Sequence, residues 1–178
     1  MPHKRDFLSV DDLSPAELVG LLDEADAIKA RPEAATDRIA GRQVLLIFEK
    51  PSTRTRVSFE AAVTSMGAHA IVLRGEELQL GRGETIEDTG RVLSGYADAI
   101  VLRTFGQDRL ELLAEAATVP VVNALSDYSH PCQALADLQT IRERKGTLEG
   151  LALAYLGDGN NVAHSLMFAG AKMGMDVR

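Results

Sequence analysis

The chain has 178 residues, 46% of them apolar and 25% charged, enough to bury one complete core and part of a second. Its net charge of −7 argues against a general nucleic-acid surface, and its single cysteine, Cys132, excludes an intrachain disulfide framework and cannot alone build a zinc site. No run reaches the ~18 apolar residues of a membrane span, and the opening Met1-Pro2-His3-Lys4-Arg5-Asp6 has no signal-peptide core, so a cytoplasmic protein without a membrane partner is expected.

In chain order, Ser14-Pro15-Ala16-Glu17 reads as a capping box with proline at the first helical position. Leu18, Leu21, Leu22, Ala25 and Ile28 then recur at helical spacing and predict a packing helix. The polar stretch Arg31 to Arg42, with Pro32 and Gly41, is a connector, and Val44 to Phe48 is a continuous apolar run of the kind found in buried parallel strands. Ser52-Thr53-Arg54-Thr55-Arg56 then opens a helical segment with Phe59, Ala62, Val63 and Met66 on one face and Gly67 at its end. A second strand is predicted from His69 to Leu73, followed by Arg74 to Glu84, a glycine-rich segment expected to be a mobile surface loop.

Thr85 and Asp88 form a weak capping signal before a helix whose apolar face carries Ile86, Leu93 and Tyr96, and Ala99 to Leu102 is the third strand, with Arg103 at its end. Leu110, Leu113, Ala114 and Ala117 mark another helix, and Pro120 to Asn123 a fourth strand. His130-Pro131-Cys132-Gln133 then opens a helix that runs to about Lys145, where Gly146 stops it. Cys132 is expected to be small and buried. The predicted fold is therefore α/β: a four-stranded parallel sheet with helices on both faces and right-handed crossovers, followed from about residue 150 by the first βα unit of a second α/β domain. That second unit has a strand at Leu151 to Leu156 and a helix-like segment, and ends at Met175 to Arg178, where another strand begins. Its apolar faces are expected to lack cover and its core to be incomplete. Gly157-Asp158-Gly159-Asn160-Asn161 loosely resembles a dinucleotide fingerprint, but Val162 stands where the third glycine belongs, so no nucleotide is expected there.

In parallel sheets ligands bind outside the carboxyl ends of the strands. Every candidate polar group lies just past a strand: Ser52 to Arg56, Gln79 and Arg82, Arg103, and His130 with Gln133. Scattered solvated charges would show no such registration. The helix opened by Ser52 offers unpaired N–H groups and a positive dipole end, Arg54 a planar five-donor fork, and Ser52, Thr53 and Thr55 hydroxyls, which together suit a compact phosphate. No Walker lysine pattern suggests a nucleoside triphosphate. His130 and Gln133 share one helical face beside Arg103, so donors converge on a carbonyl oxygen while the glutamine reads an amide; an acyl phosphate would use all of these. With no serine or cysteine nucleophile paired to a base, direct attack by a substrate amine is expected.

Through F-E-K-P-S-T-R-T-R-V-S-F-E (Phe48 to Glu60) and H-P-C-Q-A-L-A-D-L (His130 to Leu138), essentially the whole chain resembles the aspartate/ornithine carbamoyltransferases. Gln79-Leu80-Gly81-Arg82-Gly83-Glu84-Thr85, which lacks the lysine of the aspartate branch, and Gly157 to Ser165 resemble the ornithine branch. The resemblance implies carbamoyl transfer from carbamoyl phosphate to ornithine, giving citrulline in arginine biosynthesis, by a homotrimer with shared sites, with no cofactor and no metal. It implies a carbamoyl-phosphate-binding domain over residues 1–149, including the interdomain helix, and the start of an ornithine-binding domain over 150–178. Ser52, Thr53, Arg54 and Thr55 would hold the phosphate, Arg103 would bridge phosphate and carbonyl oxygen, and Thr55 and His130 would share that oxygen. Gln133 would fix the carbamoyl amino group, Gln79 would reach the phosphate of a neighbouring subunit, and Asn161 would bind ornithine. Arg103, His130 and Gln133 are the catalytic set so implied, while Arg56 is expected to hold the turn by an ion pair.

Two rival readings stand beside this one. A sibling carbamoyltransferase would act on another amine, such as putrescine or an acylated ornithine. A non-catalytic phosphate-binding or assembly domain would bind the ligand and carbamoylate nothing.

Overall fold

The computed structural model describes residues 4–78 and 83–178. Gln79 and Arg82 therefore lie outside the described residues. Four parallel strands, β1 (Gln43–Phe48), β2 (His69–Arg74), β3 (Ala99–Arg103) and β4 (Val121–Leu125), form one sheet in the order β2-β1-β3-β4. The helices are α1 (Pro15–Ala30), α2 (Thr53–Ser65), α3 (Ile86–Leu93), α4 (Gln107–Ala116) and α5 (Pro131–Lys145).

The strands read as unbroken apolar runs because both faces are covered. Leu45, Ile47, Ile100 and Leu102 point to Ile86, Leu110 and Leu113 of α3 and α4. Their neighbours Val44, Leu46, Phe48 and Val101 point the other way, to Val63 and Phe59 of α2. This alternation is the period-two geometry of a strand with each face in its own core. The edge of β4 is covered in turn by the N-terminal segment, where Phe7 N–H donates to the Val121 carbonyl and its own carbonyl accepts from Asn123 N–H, both at 2.8 Å. No periodic pattern announces that pairing in the sequence.

The helix signals behave as their chemistry requires. The Ser14 hydroxyl accepts from Glu17 N–H while the Glu17 carboxylate accepts from Ser14 N–H, a reciprocal box at the start of α1. Thr85 caps α3 through Asp88 N–H at 3.1 Å. Gly146 ends α5 with a φ of 79°, the left-handed conformation that costs glycine nothing. Three positions expected on apolar helix faces are exposed instead: Leu21 at 44%, Tyr96 at 71%, and Ala62. Leu18 and Leu22 occupy the seam of α1 against α5, which leaves Leu21 off that face, and Tyr96 lies beyond the last turn of α3.

After α5, β5 (Ala152–Leu153) pairs in parallel with β6 (Asp176–Val177), and α6 (Asn161–Lys172) joins them. The expected strand from Leu151 to Leu156 is held to two residues, because β6 is its only described partner and Leu156 is 95% exposed. The apolar face of α6 does not lack cover. Ala169 and Met175 are buried with Leu18, Leu22, Ala134 and Leu138, so α1, α5 and the second unit share one core. Among the described residues no helix is long and apolar enough to cross a membrane.

Candidate active site

In the order β2-β1-β3-β4 the chain leaves β1 toward β2 on one side and returns to β3 on the other, so the topological switch point lies between β1 and β3. Phe48, the last residue of β1, pairs with Arg103, the last of β3, and Glu49 N–H donates to the Arg103 carbonyl at 2.9 Å. The turn carrying Ser52 to Thr55 and the Arg103 side chain thus start from adjacent strand ends. A register shift between Leu102 and Arg103 on the β4 side falls at this point, and irregularities of this kind re-aim side chains at strand ends. The sequence carries no signal for it.

Ser52 has extended backbone and caps α2, its hydroxyl accepting from Thr55 N–H at 3.4 Å. The N–H groups of Thr53 and Arg54 have no intrahelical acceptor, and the helix dipole favours an anion at this end. Arg54 is exposed in that turn and Thr55 half-buried. Arg56 donates to Glu60 at 2.8 Å, one turn along the same helix, so its ion pair braces α2 internally. A cavity of about 710 Å³ opens beside this turn, with Ser52, Thr53, Arg56 and Arg74 on its lining.

The loops past β1, β3 and β4 are tied together. Glu49, its side chain 11% exposed, takes the guanidinium of Arg109 at 2.5 Å and the hydroxyl of Thr104. Lys50 lies 4.4 Å over the Phe105 ring and pairs with Asp127, while Asp127 N–H donates to the Phe105 carbonyl at 2.7 Å. These contacts fix the spacing between the Ser52 turn, Arg103 and the β4–α5 loop. Glu49 and Lys50 are support residues that motif reading passed over, although both stand inside the quoted motif.

His130 precedes the first turn of α5 and Gln133 lies within it, with Gln133 N–H donating to the His130 carbonyl at 3.1 Å. Burial, aided by the positive charge of Arg103, lowers the His130 imidazole to about 4, so the ring is neutral at pH 7. Burial likewise lowers Arg103 from its ordinary value, and a guanidinium remains charged across the working range. Arg103 Nε and His130 Nδ1 are both buried without a hydrogen-bond partner among the described residues. Native proteins rarely leave such groups unpaired unless a ligand or water completes them.

Gln133 donates its amide N–H to Asp137 at 2.9 Å, so its amide nitrogen is held by that carboxylate. Burial raises the Asp137 carboxyl from its ordinary value. Sequence reading missed Asp137, although its position four residues after Gln133 is the spacing at which helix side chains meet. Asn161, at the start of α6, donates to the Ser126 carbonyl at 2.6 Å, so part of its amide already serves the β4–α5 loop. Cys132 is partly exposed as a residue, yet its thiol donates to the Asn123 carbonyl at 3.5 Å and burial pushes it up to about 12. It is no nucleophile at neutral pH.

A parallel sheet with a helix N-terminus and an arginine whose buried Nε has no partner among the described residues at its switch point, and a neutral histidine past the next strand, has the layout of an anion-binding α/β domain. Residues 5–143 match the family described as aspartate/ornithine carbamoyltransferase, carbamoyl-P binding domain, and the chain belongs to it. It is 62% identical over 176 residues to an ornithine carbamoyltransferase of Parafrankia sp., covering 97% of this chain and 56% of that protein. An ornithine carbamoyltransferase structure from Pyrococcus furiosus superposes with a TM-score of 0.94 at 52% identity, covering 97% of this chain and 56% of that one. A Thermus thermophilus ornithine carbamoyltransferase superposes with a TM-score of 0.92 at 41% identity, over the whole of this chain and 61% of its own. The chain thus spans a little over half the length of these relatives.

Proposed function

We propose that this chain provides the carbamoyl-phosphate half of an enzyme that transfers the carbamoyl group to the side-chain amine of ornithine, giving citrulline and phosphate. The observation that carries this reading is the pair of buried nitrogens without a described partner, Arg103 Nε and His130 Nδ1, with Arg103 at a strand end adjacent to the one that leads into α2. A ligand with a phosphate at one end and a carbonyl beside it satisfies both.

In this reading Ser52, Thr53, Arg54 and Thr55 hold the phosphate, through helix N–H groups, hydroxyls and the Arg54 fork. Arg103 bridges phosphate and carbonyl oxygen. His130, neutral at pH 7, donates an N–H to the same oxygen without adding a full positive charge, and Thr55 completes the set. Gln133, its amide oriented by Asp137, accepts from the carbamoyl amino group. When the amine attacks the carbonyl carbon, negative charge grows on the oxygen these donors surround, and they act more strongly on the transition state than on the ground state. The new C–N bond forms, the C–O bond to phosphate breaks, and the proton lost from the amine nitrogen leaves with the departing phosphate, which stays in the cradle that held it.

The division at residues 149 and 150, Asn161 as an ornithine contact and Gln79 as a reach into a neighbouring subunit's site belong to the same proposal. So do a homotrimer, a cytoplasmic location and a place in arginine biosynthesis. The relatives' activity, their identity to this chain and the residues named above support it. The test is a citrulline assay on the protein extended to the length of its relatives, run beside putrescine and acylated ornithine as competing amines. Citrulline as the dominant product is expected. Preference for another amine would replace ornithine in the account, and binding without carbamoylation of any amine would overturn the enzyme reading.

A further inference from the structure

The start of α6 is stitched to the loop that delivers His130 by a buried set of hydroxyls. Ser126, Ser129 and Ser165 are 0%, 2% and 1% exposed. Ser165 Oγ accepts from His130 N–H at 2.9 Å, lies 3.2 Å from Ser129 Oγ and donates to the Asn161 carbonyl at 2.8 Å. Asn161 returns to the Ser126 carbonyl, and His164 Nδ1 lies 3.1 Å from the Tyr128 carbonyl with the two rings 5.3 Å apart. One helix of the second unit therefore grips residues 126 to 130 at four points.

We infer that Ser165 is a positioning residue for His130: it holds the backbone at the entry to α5 so that the imidazole faces the Arg103 side of the cleft. The inference rests on the carbamoyl-phosphate reading above. Its physical basis is the location of the bond. His130 is the N-cap position of α5, where the backbone N–H has no carbonyl acceptor within the helix itself. The only acceptor described for that N–H comes from α6. Because the same hydroxyl bonds to the Asn161 carbonyl, a shift of α6 moves both the proposed carbonyl donor and the proposed ornithine contact. Seating the amino-acid unit and aiming His130 become one event. A residue that only filled space in the interface would leave His130 where it is.

The test uses isotope-labelled wild-type chain and two alanine variants that each delete one buried hydroxyl. Ser165→Ala removes the acceptor of His130 N–H, whereas Ser129→Ala removes only the partner of Ser165 Oγ. Carbamoyl phosphate is titrated while the His130 ring signals and the Thr53 to Thr55 amide signals are followed. Loss of a hydrogen bond of this kind shifts a local equilibrium by about fivefold. The His130 response should therefore fall by about that factor in Ser165→Ala, persist in Ser129→Ala, and leave the Thr53 to Thr55 response intact in both. An unchanged His130 response in Ser165→Ala, or an equal loss in Ser129→Ala, would overturn the inference. Should Ser165→Ala unfold, Ser165→Cys keeps the size with a poor acceptor and is read against the same two outcomes. A wild-type chain whose Thr53 to Thr55 amides ignore carbamoyl phosphate would instead sink the binding reading, so the two failures are distinct.

Discussion

Replacing Arg103 with methionine should stabilise the chain while removing its ligand. The Nε of Arg103 is buried without a partner among the described residues, and burial lowers the guanidinium from its ordinary value, so Arg103 carries a desolvation cost that no described protein group offsets. A buried unsatisfied donor costs about 1–3 kcal/mol, and methionine keeps much of the length and apolar contact of the stem. Part of that cost is recovered by local relaxation, and a net gain of about 1 kcal/mol is expected. For a chain of this size that raises Tm by about 2–4 °C. The same change would delete the proposed charge-assisted hydrogen bond to the ligand, worth about 1.5–3 kcal/mol, or a factor of about 10 to 100 in affinity. Calorimetric unfolding and titration with carbamoyl phosphate on the same preparation read both quantities. A variant that is less stable and binds as tightly as wild type would show that Arg103 is a structural cation and refute the reasoning.

His130 makes stability depend on pH. Its folded value of about 4 lies below the ordinary ~6.5, so between these limits the unfolded chain binds more protons. Stability should fall as pH drops from about 6.5 toward 4 and level off below, by about 1–2 kcal/mol once partial exposure is discounted. Urea titrations of wild type and His130→Gln across that range would show the variant with the shallower slope. The glycines at helix ends should separate by surroundings: Gly67 and Gly146 both have positive φ, but an added Cβ at Gly67 meets Asp37 Oδ1 at 2.7 Å while at Gly146 it meets nothing within 4 Å. Gly146→Ala should cost about 1 kcal/mol and Gly67→Ala clearly more, measured by the same unfolding assay. In the protein at the length of its relatives, mixing inactive Arg54→Ala and inactive Gln79→Ala chains should restore some activity if Gln79 acts across a trimer interface. Confirmed hybrids without recovered activity would place Gln79 in its own site.

Much of this architecture is legible in the sequence, because a parallel sheet buried on both faces writes its strands as apolar runs. Val44 to Phe48 and Ala99 to Leu102 are found that way, and the Ser14 box, Thr85 and Gly146 mark helix ends through local chemistry. What escapes is non-local. The Phe7 pairing on β4 and the shared core of α1, α5 and α6 depend on which surfaces meet after folding, so the cover expected to be missing from α6 could not be foreseen. At the site, residues just past strand ends could be named, since topology alone brings Ser52 to Thr55 and Arg103 together. The supports that orient them are harder to read: Asp137 stands at helical spacing from Gln133, but its bond, like that of Glu49 to Arg109, shows only in the folded structure. Burial of the Arg103 and His130 nitrogens, the observation on which the function rests, is a three-dimensional quantity with no sequence signature.

The central claim is that the cleft at the β1/β3 switch point binds an acyl phosphate through Arg103 and the α2 N-terminus. Titrating labelled chain with carbamoyl phosphate, and watching the Arg103 Nε–H together with the Thr53 to Thr55 amides, tests it directly. The account predicts saturable shifts of all four signals with one common affinity. It is contradicted if carbamoyl phosphate binds while Arg103 Nε–H stays put, or if the shifts gather instead in the groove lined by Pro15, Val19, Arg142 and Lys172.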